Sequence, residues 1–290
     1  MDNGKISVVL TVYNGQKYVG KAIQSVINQT YYNWELIVVN DCSTDRTLDV
    51  IRDFANNDSR IIIINNETNQ KLPRSLNVGF SAASGEYYTW TSDDNLFHED
   101  AFEKMVNILN KNEKIGLVYA DFTIVDMEGR IIEEIKEAEP SEIKYGDNVG
   151  ACFLYRKTVA EKVGEYDPET FLAEDYDFFI RCYQRTQFYH LKEDLYDYGR
   201  HEKNLSATRQ QEIHKQAFLV MNKYFDFFYS ECYTQDEKNR LFNEMLKLID
   251  DPYENKKERK RFYKKDKKFA KQDKLIIMKN LVKRYLRIRS

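Results

Sequence analysis

Residues 5–45 read KISVVLTVYNGQKYVGKAIQSVINQTYYNWELIVVNDCSTD, and their pattern decides the fold. Residues 6–12 are a nearly unbroken apolar run, as a strand buried on both faces requires. From 18 to 27 the side chains Val19, Ala22, Ile23, Val26 and Ile27 recur with helical spacing. Residues 36–39 form a second buried strand, and Ser43 stands where it would cap a helix over 44–54. Two buried strands joined through a helix make a parallel pair, because parallel strands need a crossover. The alternation continues with a strand at 61–64, a helix over 73–83 closed by Gly85, a strand at 87–91 and a helix over 99–109.

After Gly116 the rhythm changes. Residues 117–125 and 130–135 flank Asp126-Met127-Glu128-Gly129 as a hairpin. A strand at 151–155, an amphipathic helix over 175–185 and a returning strand at 188–198 follow. Beyond residue 210 no strand pattern is visible. The expectation is an α/β chain with a mainly parallel sheet flanked by helices over 1–210, and a helical C-terminal extension over 211–290.

The 290 residues are 42% hydrophobic and 31% charged, the composition of a soluble globular chain. A net charge of −3 hides a basic run from Lys256 to Ser290. The four cysteines are scattered, with no CxxC, which argues against a zinc site or a disulfide framework and for a reducing compartment. No secretory leader is visible ahead of the first strand, and no apolar run reaches the length of a membrane span. A cytoplasmic location is expected, with peripheral attachment at the inner face of the cell membrane.

In a parallel sheet, ligands bind beyond the carboxyl ends of the strands. Three polar clusters fall there: Thr11/Tyr13/Asn14, Asn40/Asp41 and Asp93/Asp94. Adjacent acids repel; capping a following helix accounts for one of them, whereas a bound Mg²⁺ or Mn²⁺ accounts for both. Glu174 and Asp175 open a helix, where an acid serves as a cap or as a firmly held general base. His201 follows a strand in a polar loop, either as a surface histidine or as a ligand near a metal.

These segments together strongly resemble the family 2 glycosyltransferases, inverting enzymes of the GT-A fold. The resemblance continues through LPRSLNVGFSAASGEYYTWTSDDN, GACFLYRK, AEDYDFFIR and YGRHEKNLS, over about residues 5–206. It implies that Thr11, Tyr13 and Asp41 hold a nucleotide's base and ribose and that Arg74 lies near the base or diphosphate. It further implies that Asp93 contacts the donor, that Asp94 binds the metal with His201 in reach, and that Asp175 is the catalytic base with Glu174 beside it. Gly150 and Ala151 match a segment near donor sugar and acceptor. Asn40, Cys42 and Thr91 depart from the family pattern, where Asp, Gly and Asp are common. The resemblance implies a UDP-linked sugar donor, a glycan or lipid-linked acceptor in glycan or cell-surface polysaccharide synthesis, and Mn²⁺ or Mg²⁺ as cofactor.

Two rival readings stand beside it. A nucleotidyltransferase would carry a Gly-rich basic loop after the first strand, which TVYNGQKYV does not supply. A non-catalytic sugar-nucleotide-binding or membrane scaffold would not need Asp94, Asp175 and His201 together. In the basic run, Leu275, Met278, Leu281, Val282 and Tyr285 recur at helical spacing, as an interfacial helix on an anionic membrane requires. Nucleic acid is not expected, because the folded region shows no reader motif.

Overall fold

The computed structural model describes residues 4–249 and 251–288, with side chains through residue 278. It comprises two compact units, Met1–Ile143 with Asp147–Gln210, and Lys144–Gly146 with Gln211–Ser290. The first unit runs β1 (Ile6–Val12), α1 (Val19–Ile27), β2 (Trp34–Asn40), α2 (Thr47–Ala55), β3 (Ile61–Asn65), α3 (Lys71–Ser81), β4 (Tyr87–Ser92), β5 (Leu96–Phe97) and α4 (Ala101–Lys111). It continues with β6 (Ile115–Asp126), β7 (Ile131–Ile135), β8 (Cys152–Arg156), α5 (Lys157–Val163), α6 (Glu174–Tyr183), β9 (Gln187–Arg200) and α7 (Leu205–Thr208).

Among the described residues these strands form one sheet in the order β3-β2-β1-β4-β8-β6-β9-β5, with β7 paired to β6. The first four strands are parallel, as the alternating pattern predicts. Beyond the parallel strands the sheet is mixed. β8 is antiparallel to both β4 and β6, β9 is parallel to β6, and β5 is antiparallel to β9. The segment between β7 and β8 holds only a short 3₁₀ turn, so no crossover helix forces β8 to run parallel.

Every residue of β1 and β2 is buried, and the pleat sorts their side chains to two faces. Val8, Leu10 and Val12 join Leu36 and Val38 in a core with Ile23 and Val26 of α1 and Phe102 and Met105 of α4. Val9 and Val39 point the other way, against α3. There a Cβ on Gly79 would fall 2.4 Å from a Val9 methyl, so glycine is what lets α3 sit directly on the sheet.

Two readings of small residues change. Ser43 does not cap α2: its hydroxyl accepts the Asn14 N–H, and the Asp45 carboxylate takes the Thr47 N–H instead. Gly85 is not a helix terminator. Its N–H donates to Ser7 Oγ, and a side chain there would strike the Lys5 carbonyl at 2.5 Å.

The second unit is built from α8 (Gln210–Lys223), α9 (Phe225–Ser230), α10 (Gln235–Lys247), α11 (Pro252–Lys265) and α12 (Lys267–Ile288). Thr234 and Glu237 form a reciprocal capping box at the start of α10, and Asp251 with Pro252 opens α11. Phe225, Phe242, Phe262 and Phe269 pack together in this unit, Phe225 stacked on Phe262 and Phe242 tilted against Phe262 and Phe269.

One buried acid ties down the amino edge of the sheet in the first unit. Glu35 on β2 accepts from Ser7 Oγ at 2.6 Å, Ser84 N–H at 2.6 Å and Lys5 Nζ at 2.6 Å. Burial alone would raise its pKa, but the bonds from Lys5, Ser7 and Ser84 outweigh it and bring the carboxyl down from 4.5 to about 2. A depressed acid stabilises the fold fully above its unfolded pKa and loses that contribution as pH falls toward the folded one. Glu35→Gln should therefore lower Tm by about 2–6 °C near neutral pH. The deficit should shrink between about pH 4.5 and pH 2. Thermal unfolding across that range checks it, and a deficit independent of pH would count against this role.

Candidate active site

Strand register lines up the site. Val12 of β1 stands beside Asn40 of β2, and Thr11 beside Ser92 of β4. The residues that follow the three strands therefore leave the sheet along one edge. The first two loops are laced together: Thr44 N–H donates to Asn14 Oδ1 at 2.8 Å, and Arg46 N–H to Gln16 Oε1 at 2.9 Å. Asn14 adopts a left-handed φ of 56° to do this, a conformation that asparagine tolerates. Thr11 is buried at the base of this edge, and Tyr13 presents its ring to solvent.

Asp41 is buried, and its carboxylate is already engaged. It accepts from Asn66 Nδ2 at 2.8 Å, Gln70 N–H at 2.8 Å and Lys71 N–H at 3.0 Å. A carboxylate has about four acceptor positions, so most of this one is spent holding the turn into α3. Arg74 is not drawn into the acid group; it stands exposed on the first turn of α3.

Asp93 and Asp94 leave the end of β4 into a built seat. A Cβ on Gly15 would fall 2.0 Å from Asp93 Oδ2, so the glycine after Asn14 makes room for this carboxylate. A Cβ on Gly199 would fall 2.1 Å from the Asp94 carbonyl. The pairing of β5 with β9 brings the end of β9 back to this point. Asp94 Oδ2 accepts from Asn204 Nδ2 at 2.8 Å and from His201 Nε2 at 3.2 Å. Asn204 also donates to the Gly199 carbonyl at 3.1 Å and accepts the His201 N–H, closing the loop on itself. Tyr18 stacks on the His201 ring at 5.0 Å. Thr91 points into the core and bonds Tyr196 OH at 2.7 Å, a structural task an acid would do badly.

The hydrogen bonds assign the His201 tautomer. Lys203 N–H donates to Nδ1 at 3.1 Å, so the ring proton sits on Nε2 and points at Asp94. His201 is thus a donor to Asp94 as arranged, and ligation through Nε2 requires that proton to leave.

Burial pushes the Asp93 carboxyl up to about 7, with repulsion from Asp94 adding to it. Asp94 is also raised, because burial outweighs the relief from His201 and Asn204.

Asp147, Asp175 and Glu137 form a second acidic group. Asp175, in the first turn of α6, is raised by burial. Asp147 is raised well above the usual range by the crowding of protein around its carboxyl, then by Asp175 and Glu137. Glu137 is pushed up to about 7 by burial and by Asp121. Gly150 has φ 67°, and a Cβ there would fall 2.2 Å from Glu137 Oε1, with Ala151 next along the chain. Glu174 is different: its buried carboxylate folds back on Leu172 N–H at 2.6 Å and braces that residue's left-handed φ of 80°. Burial and Asp175 push Glu174 up to about 8. The Tyr198 hydroxyl is raised by burial, and the charges of Asp94 and Asp175 add to it.

Sequence reasoning missed Gly15, Asn204, Asp147 and Glu137. Gly15 lies in TVYNGQKYV and Asn204 in YGRHEKNLS, but nothing in a linear pattern shows that each meets an acid. Asp147 and Glu137 carry no local signal at all.

The donor set suits a hard divalent cation, since two adjacent carboxylates raised by burial gain from a positive charge between them. Asp93 and Asp94 would hold it. Among the described residues no three His, Cys, Asp or Glu side chains converge on one cation position, so the remaining ligands would come from substrate oxygens and water.

Residues 7–164 match the family described as glycosyl transferase family 2. An uncharacterized glycosyltransferase of Haemophilus influenzae is 26% identical over 271 residues, spanning 83% of this chain and 84% of that protein. The Bacillus subtilis protein named as glycosyltransferase EpsE is 31% identical over 207 residues, spanning 68% of this chain and 73% of that protein. Among solved structures, S. aureus TarS 1–349 in complex with UDP-GlcNAc superposes with a TM-score of 0.61 at 18% identity, covering 84% of this chain and 81% of that one. The mannosyltransferase PcManGT from Pyrobaculum calidifontis, in complex with GDP-Man and Mn²⁺, gives 0.64 at 15% identity, covering 84% and 74%. At these identities the likeness to solved structures speaks for the fold.

The raised Asp93 has a measurable consequence. Its folded pKa of about 7 exceeds the ordinary 3.8, so its cost to stability sets in as pH rises above about 4 and is complete above about 7. Without added metal, Asp93→Asn should melt higher than the wild type near pH 8, with the gap closing toward pH 4. A gap of the same size at both pH values would remove the buried-repulsion explanation.

Proposed function

The chain belongs to glycosyl transferase family 2, and within that family we propose that it moves a sugar from a UDP-linked donor to an acceptor hydroxyl with inversion at the anomeric carbon. It has the GT-A fold, and its activity is the transfer of sugar from a nucleotide sugar. What supports the finer reading is the acid pair just past β4, at the edge where β1 and β2 also end, together with a second raised acid, Asp175. Asp93 and Asp94 lie at the carboxyl ends of the parallel strands, and Asp175 opens α6, with the Tyr198 hydroxyl feeling its charge as well as that of Asp94.

Residues of the first two loops would take the nucleoside, with the exposed Tyr13 ring against the base and Thr11 beneath it. Asp93 and Asp94 would hold Mn²⁺ or Mg²⁺, which when bound supplies positive charge against a departing diphosphate. The Nε2–H of His201 offers a further donor at the same place. On the other side, Asp175 takes the proton of the acceptor hydroxyl. The acceptor oxygen forms its bond to the anomeric carbon as the bond to the diphosphate breaks, and the diphosphate leaves with the electron pair. A raised Asp175 is a stronger base than an exposed aspartate, which suits this task. The acceptor is a glycan or a lipid-linked sugar in this reading. The complexes named for TarS and PcManGT support nucleotide-sugar chemistry in this fold, with UDP-GlcNAc in one and GDP-Man and Mn²⁺ in the other.

Asp175→Asn separates binding from chemistry. UDP affinity, read by calorimetry with Mn²⁺, should stay within about twofold of wild type. Transfer to an acceptor found by screening should fall by on the order of 10²–10⁴. Full transfer by the variant would remove Asp175 as the base.

A further inference from the structure

In the second unit, α12 extends past the core that supports it. Phe269 and Asp273, one helical turn apart, are 1% and 5% exposed and form its buried stripe. The stripe should continue through residues 276 and 277, yet Ile276 and Ile277 are 46% and 39% exposed. Leu275 and Met278, on the adjoining faces, are 48% and 59% exposed. A full turn of helix is therefore apolar on every side and uncovered on every side. Isolated exposed apolar residues are ordinary; four in succession around one turn are not.

Charge identifies what covers them. Nine lysines between residues 256 and 274 are exposed. Two of these, Lys257 and Lys265, pair with Glu254 and Asp226. The acids closest to the apolar turn in sequence are already consumed within the unit. Asp273 binds Arg259 and Tyr263, and Asp266 accepts from Tyr229 and caps α12 through the Phe269 N–H. Lys271 and Lys274 thus flank the apolar turn in a region of net positive charge. No helix among the described residues is long and apolar enough to cross a membrane. An apolar turn beside a dense cationic surface, without a spanning helix, fits the interface of an anionic bilayer, where lysine stems lie along the acyl boundary and their ammonium groups meet the headgroups.

We propose that the second unit is a membrane-surface module, in which Leu275–Met278 insert into the interface of an anionic lipid bilayer and the lysines of α11 and α12 bind its headgroups. The side chains of Leu281, Val282 and Tyr285, expected on the same helix, lie outside the described residues. This role does not depend on the sugar chemistry of the first unit, but it would bring the chain to the surface where lipid-linked acceptors reside.

The test uses full-length protein and vesicles of phosphatidylglycerol mixed with phosphatidylcholine, against vesicles of phosphatidylcholine alone. Wild type should co-sediment with the anionic vesicles at least tenfold more strongly, and raising salt to about 0.5 M should release it. Replacing Lys267, Lys268, Lys271 and Lys274 by Gln should weaken partitioning by on the order of several-hundred-fold. Ile276→Glu with Ile277→Glu should also release the protein, by loss of insertion. UDP calorimetry on each variant shows whether the first unit is intact, and far-UV circular dichroism does the same for the helices. Binding to both vesicle types alike, or to neither, would overturn the proposal. So would a dimer, seen by light scattering, that the double Glu variant abolishes while leaving vesicle binding unchanged.

Discussion

Two carboxylates at the end of a buried strand repel each other, and much of the first unit is arranged to keep them there. Gly15 is bare because Asp93 occupies the space its side chain would need. Gly199 is bare because the Asp94 backbone passes against it. β5 exists as a two-residue strand that pins β9 to the segment just after the acids. From the end of β9 come His201 and Asn204, the two side chains that reach Asp94. None of this neutralises the pair, since both carboxyls remain raised. The fold supports an unfavourable arrangement, which a cation shared with a ligand would relieve in the proposed reading.

The parallel half of the sheet was legible because each of its strands is buried on both faces and so leaves an unbroken apolar run. Ile6–Val12 and Trp34–Asn40 are fully buried, and no other element type fits runs that short between turn residues. The mixed half was read strand by strand but not as a sheet. β9 alternates exposed and half-buried positions only over its first four residues, and its partners are far away in sequence. β5 is too short to leave a periodic signal. Ser43 and Gly85 were misread because their commonest local roles, cap and terminator, gave way to contacts with residues 29 and 78 positions away.

The acids divide in a way that residue type cannot show. Glu35, Asp41 and Glu174 are buried and bonded to backbone or side-chain donors, so they hold the structure in shape. Asp93, Asp94, Asp147 and Asp175 are raised by burial, and Glu174 is raised with them although it also braces the backbone. Motif position separates neither Glu174 from Asp175 nor Asp41 from Asp93. What sets Asp41 apart is that the Gln70 and Lys71 N–H groups already fill its carboxylate at a turn where Lys71 has φ 64°; Glu174 braces Leu172 at φ 80°, whereas Asp175 accepts the N–H of Tyr176 beside it.

The central claim is that the acids at the end of β4 are the place where cation and nucleotide diphosphate meet. Anomalous diffraction above the manganese edge, on crystals grown with UDP and Mn²⁺, tests it directly. A single strong peak within coordination distance of Asp94, with the UDP diphosphate on its far side and the base beside Tyr13, is the expected result. A peak at Glu137 and Asp147, or UDP seated away from the carboxyl ends of β1, β2 and β4, would contradict it.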